Sequence, residues 1–133
     1  MSYNNIQTSP KNIAYNERRS RISILERIDY LREAQYQARI IQKLRDLFPG
    51  CFILKNDAIY TPGVPDIIIL YNDHWAMLEI KYGNVRQMQP NQEYYVNMLN
   101  SMSYASFINP DNEEEVFYDL QIAFGFIRPP RVS

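Results

Sequence analysis

Asp66, Glu79 and Lys81 are the residues of this chain best placed for chemistry, and a turn sets their placement. Asn72-Asp73 separates two runs of strand-forming residues, Asp66 to Tyr71 and His74 to Lys81. A two-residue hairpin loop at Asn72-Asp73 sets Tyr71 opposite His74, and counting outward puts Asp66 opposite Glu79. Opposed side chains of an antiparallel pair share a sheet face, with Cβ atoms about 4.5–5.5 Å apart. Lys81, two residues past Glu79, points to the same face. Two carboxylates held that close repel unless a cation or a proton intervenes. Oxygen ligands suit magnesium or manganese, which take one or two carboxylates and keep several waters or phosphate oxygens. Lys81 would then hold a water or stabilise charge growing on a phosphate.

An isolated Glu-x-Lys triplet reads first as an exposed surface pair, but the flanks here argue otherwise. Ile67, Ile68, Ile69 and Leu70, and then Ala76, Met77 and Leu78, are apolar on both faces, as expected of strands covered on both sides. Charged side chains at the ends of buried strands are seldom there for solubility.

At 133 residues the chain is long enough for one domain with a core. No run of about 18 apolar residues marks a membrane span, and the polar start Met1-Ser2-Tyr3-Asn4-Asn5 lacks the layout of a secretory signal. A single cysteine, Cys51, and a single histidine, His74, leave neither an internal disulfide nor a Cys/His zinc set, which points to an intracellular location. The net charge of −1 is unevenly spread. Residues 1–48 hold nine Lys/Arg against five Asp/Glu, and residues 49–133 hold five against ten. The basic share, from Lys11, Arg18, Arg19 and Arg21 through Arg27 and Arg32 to Arg39, Lys43 and Arg45, is either a phosphate-facing patch or a solvated helix face.

Expected elements follow from periodicity and turn residues. An arm covers 1–22. Helix begins near Ser20 to Ser23, where Ser23-Ile24-Leu25-Glu26 has the capping-box pattern, and ends at Pro49-Gly50. Its apolar stripe changes face, from Ile24, Leu25, Ile28 and Leu31 to Ile40, Ile41, Leu44, Leu47 and Phe48. Either the helix breaks near Asp29 to Arg32, or its first half packs on another body, for which a partner subunit is preferred. Stepping the second stripe backwards through Gln37 reaches Glu33, so a carboxylate falls on the core-facing line. It is either a third acidic ligand or an edge residue paired in water. A strand from Cys51 to Lys55 and a loop from Asn56 to Pro65 come next, with Asp57 read as a loop residue. After the hairpin, Tyr82 to Gln89 is a polar loop. A helix from Pro90 to about Met102 follows, with Met88, Tyr95, Val96, Leu99 and also Gln92 on its stripe. Then come a strand from Tyr104 to Ile108 and a short helix that Asp111 to Glu115 opens, reaching about Ala123. One α/β domain over 23–123 and a tail over 124–133 are therefore expected.

This order of elements, with an acid on the first helix, Pro65-Asp66 opening the second strand and Glu79-Ile80-Lys81 on the third, resembles the PD-(D/E)XK nuclease superfamily over roughly residues 30–108. Gly63-Val64-Pro65-Asp66, the Glu79-Ile80-Lys81 triplet and Gln92 look most like the VRR-NUC group, related to Holliday junction resolvases. The resemblance implies a restriction-endonuclease-like core, α-β-β-β-α-β, here with an extra C-terminal helix. It implies magnesium or manganese held by Asp66, Glu79, the Ile80 carbonyl and Glu33, with Lys81 positioning water or stabilising charge and Gln92 supporting the site. The implied activity is metal-dependent endonucleolytic hydrolysis of DNA, on branched or Holliday-junction substrates, by a homodimer or higher oligomer. Double-strand cleavage of restriction or homing type is the alternative, and a non-catalytic nucleic-acid-binding subunit is the reading from another class. The Asn- and Tyr-rich composition suits a phage or mobile-element protein acting in the cytoplasm of a microbial cell.

Overall fold

The computed structural model describes residues 10–56, 61–83 and 90–131, with residues 10–23 and Pro90 described by backbone alone. Asp57, Met88 and the side chains of Lys11, Arg18, Arg19 and Arg21 lie outside the described residues. The chain forms two units, Met1–Gln35 and Tyr36–Ser133. Helix α1, Pro10–Leu47, is continuous. It starts about ten residues earlier than the capping pattern implies. Proline is at home in the first helical turn, and no Gly or Pro interrupts residues 11–48, so Ser23 is an interior position rather than a cap.

In the first unit Ile24, Leu25, Ile28, Tyr30 and Leu31 are exposed.

The second unit is a mixed α/β fold built on a four-stranded sheet. After α1 come β1 (Phe52–Lys55), β2 (Ile67–Tyr71), β3 (His74–Ile80), α2 (Pro90–Met102), β4 (Tyr104–Ile108) and α3 (Glu113–Ala123). Strand order follows the sequence, β1-β2-β3-β4. The first three strands run antiparallel and β4 lies parallel to β3. A parallel neighbour needs a crossover, and α2 supplies it. The hairpin has the register that the turn implies, from Tyr71 opposite His74 to Ile67 opposite Leu78. Asn72 adopts a left-handed φ of 53°, which its short polar side chain tolerates.

Each sheet face has its own helix partners. On one face Ile67, Ile69, Ala76, Leu78, Ile80 and Ile108 pack against a line along α1, Tyr36, Ile40, Leu44 and Phe48, and against Val116, Phe117 and Leu120 of α3. On the other, Met77 and Ala105 meet Val96 of α2, with Ile68, Trp75, Leu99 and Phe107 around them. Asp66 and Glu79 alternate onto this second face.

The expected tail is part of the core at its start. Gly125, at φ 80°, reverses the chain after α3. The Gly125 N–H donates to the Ile122 carbonyl and the Phe126 N–H to the Gln121 carbonyl, the paired bonds of a Schellman ending. The reversal brings the rings of Phe124 and Phe126 to 5.0 and 5.2 Å from that of Phe48.

Leu44 has no solvent exposure, so Leu44→Ala is expected to lower unfolding free energy by about 2–5 kcal/mol in urea titrations. Leu25, 67% exposed in the first unit, is expected to change it by less than about 0.5 kcal/mol when replaced by Ala.

Candidate active site

Asp66 and Glu79 are locked to each other's strands just past the last ladder pair. The Asp66 N–H donates to Glu79 Oε2 at 3.1 Å, and the Ile80 N–H donates to Asp66 Oδ2 at 2.9 Å. Each carboxylate thus accepts a backbone hydrogen bond from the opposite strand. The other oxygen of Glu79 faces two side-chain donors. Gln92 Nε2 donates to Oε1 at 2.9 Å, and Lys81 Nζ lies 3.5 Å from the same atom. Glu79 is only 3% exposed, the one charged residue in the core among those described. Such burial is tolerable only because donors surround the carboxylate.

The neighbouring backbone holds this cluster in place. The Asn56 N–H donates to the Asp66 carbonyl at 2.8 Å and its side-chain Nδ2 to the Pro65 carbonyl at 2.7 Å. β1 therefore steadies the Pro65-Asp66 segment. Gly63, at φ 92°, lies under the start of α2, where an added Cβ would sit 2.7 Å from Asn91 Cβ and 3.1 Å from the Asn91 carbonyl carbon. Glycine here satisfies the backbone conformation and also lets α2 approach closely enough for Gln92 to reach Glu79.

Both carboxylates are pushed toward their protonated forms. Burial, and then the charge of Asp66, push Glu79 up to about 7 from an ordinary carboxylate value of 4.5, against the pull of Lys81. Burial also raises Asp66, offset in part by the Ile80 N–H and by Lys81. A proton on Glu79 relieves the repulsion between the two acids near neutral pH, and a bound cation would do the same above it. Two adjacent carboxylates are a donor set of the kind used by a hard divalent ion that keeps several waters.

Of the residues singled out from the sequence, Asp66, Glu79, Lys81 and Gln92 come together, and Ile80 joins them through its N–H. For Glu33, of the two alternatives, the side chain's exposure fits the edge residue. It belongs to the first unit and its side chain is exposed, so burial imposes no need for a partner. Among the described residues no group of three or more His, Cys, Asp or Glu side chains gathers. Arg27, Arg32, Arg39, Lys43 and Arg45 are all exposed, and Arg39 is paired with Glu113 at 3.0 Å. Asn56 escaped the sequence reading, since its bonds depend on the β1-β2 pairing and no local motif marks them.

Comparison with family models, with curated proteins and with solved structures finds no match for this chain. No described helix is long and apolar enough to cross a membrane.

A raised carboxylate pKa favours the fold when protonated, so its stabilising share is complete below about 4.5 and is lost as pH rises through about 7. In chelator, the wild-type protein is expected to lose melting temperature over that window, and Glu79→Gln, neutral at all pH, is expected to flatten the profile. Separately, Gly63→Ala is expected to destabilise the fold by about 1–3 kcal/mol, read by urea unfolding, because Asn91 must give way.

Proposed function

We propose that this chain is a metal-dependent endonuclease of the PD-(D/E)XK type that hydrolyses DNA phosphodiester bonds. The observation that carries the reading is the reciprocal locking of Asp66 and Glu79 beside Lys81, three functional groups on one sheet face at the end of a buried hairpin. The element order α-β-β-β-α-β, followed by α3, also supports it.

Asp66 and Glu79 would hold magnesium or manganese, with the Ile80 carbonyl as a further oxygen. When bound, such an ion supplies Lewis-acid polarisation of the phosphate and lowers the pKa of a bound water. Gln92 keeps one oxygen of Glu79 fixed, so the carboxylate does not rotate away from its partner. Lys81 orients the attacking water or stabilises the charge that grows on the phosphate oxygens as the new P–O bond forms and the old one breaks.

Paired cuts call for two sites, and a symmetric homodimer provides them. The exposed Ile24, Leu25, Ile28 and Leu31 of the first unit support self-association through that helix. A DNA substrate and a free Cys51 suit an intracellular place of action, as in a phage-infected cell.

Gel cleavage of a four-way junction and a linear duplex, in magnesium and in EDTA, tests the reading. EDTA is expected to abolish cutting, and Asp66→Ala, Glu79→Ala and Lys81→Ala are each expected to slow it at least about 100-fold. Undiminished cleavage by any one of these variants, or in EDTA, contradicts the assignment.

A further inference from the structure

Strand β1 forms one edge of the sheet. Natural edges are blunted by proline, by bulges or by inward-pointing charge. Phe52–Lys55 contains no proline and pairs with β2 residue for residue, and its one charge, Lys55, stands at the last position. Phe52 is 61% and Leu54 45% exposed, on the face shared with Leu70 and Ile68, which lie opposite them in β2. Ile53, between them, turns to the other face and packs on the α1 cluster.

The ladder fixes which backbone groups of β1 point outward. The Asn56 N–H donates to the Asp66 carbonyl, so Asn56, Leu54 and Phe52 direct their N–H and C=O groups to β2. The two-residue turn after Tyr71 gives the same alternation, since it bonds Tyr71, Ile69 and Ile67 to β3 and leaves Leu70 and Ile68 to β1. The groups of Ile53 and Lys55 therefore face away from the sheet. The Cys51 N–H is held by the Phe48 carbonyl at 3.0 Å, which leaves the Cys51 carbonyl as an acceptor. With Ile53 opposite Ile53 of a second, antiparallel copy, the two exchange a pair of hydrogen bonds, and each Lys55 N–H reaches the other copy's Cys51 carbonyl. Phe52 then faces the other copy's Leu54 on both sides of the axis, in the non-hydrogen-bonded pairing where side chains come closest. Moving the axis to Leu54 sets Phe52 against Asn56 and Ile53 against Lys55. Moving it to Phe52 turns the Ile53 carbonyl to a Cys51 N–H that Phe48 already holds.

We propose that β1 is a homodimer interface, in which the four-stranded sheets of two copies join edge to edge about a two-fold axis at Ile53. A two-fold contact needs a surface complementary to itself. Phe52-Ile53-Leu54 meets that condition, apolar on both sides of its midpoint and with its central N–H and C=O both turned outward. The contact belongs to the second unit and depends neither on the helix of the first nor on the nuclease reading. An axis normal to the sheet leaves both acid pairs on the same face of the joined sheet.

The test uses the full chain carrying Cys51→Ser, so that the native thiol takes no part. Phe52→Cys and Leu54→Cys are made separately in that background, both at exposed positions, and are oxidised with diamide alone and as an equimolar mixture. Opposed Cα atoms in this register lie about 4.5 Å apart, within the span of a disulfide. Each position lies about 7–8 Å from its own counterpart, which is too far. The mixture is therefore expected to give a covalent dimer on a non-reducing gel. Each variant alone is expected to give no more than the background set by mixing Phe52→Cys with Tyr118→Cys, an exposed position on α3. A mixture that stays at that background overturns the interface. A bridge formed as readily by Phe52→Cys alone or by Leu54→Cys alone overturns the axis at Ile53.

Discussion

Two acidic side chains sharing one hydrogen-bonded strand end is the constraint on which the second unit's site depends. Glu79 is buried deeply enough that its charge is costly, and Asp66 beside it raises the cost further. The fold answers with donors from three sources. Strand backbone supplies the Asp66 and Ile80 N–H groups, α2 supplies Gln92, and Lys81 supplies a nearby cation. Satisfied this way, the pair needs only a proton or a metal ion to remove its residual repulsion. Proton and cation compete for such a pair, so its affinity for a cation rises with pH.

The rest of the unit is arranged to keep that end of the hairpin rigid. α1 and α3 cover one face of the sheet with a continuous apolar cluster, leaving the other face to α2 and the acids. Close approach of α2 is possible because Gly63 leaves room for Asn91. The acid pair thereby lies on the α2 face, while the α1–α3 face holds the larger apolar cluster. The ring of Tyr82 lies against that of Tyr36, which Arg39 and Glu113 hold in turn.

The hairpin register was legible in the sequence because it follows from a local count. Asn72-Asp73 is short, and its flanks are apolar, so a slip by one residue would turn the isoleucines of β2 to the wrong faces. The second stripe of α1 and the α2 stripe through Val96 and Leu99 were legible by the same periodic logic. Other features depend on contacts distant in sequence. Asn56 and the Gly63-Asn91 approach acquire meaning only once β1 and α2 are placed. The stripe carried back to Glu33 leaves both a ligand and an edge residue open, because it runs past Tyr36, where the second unit begins. Local signals were also misread. Pro10 stands in the first turn of α1 rather than in an arm, and past α3 Phe124 is buried in the core while Gly125 turns the chain so that the ring of Phe126 reaches that of Phe48.

Anomalous diffraction from crystals grown with manganese at a pH above 7 measures the central claim most directly. The expected result is a single strong peak within about 2.0–2.5 Å of carboxylate oxygens from both Asp66 and Glu79. A map with no peak at that position, the two acids still bonded only to each other's strands, would contradict the account.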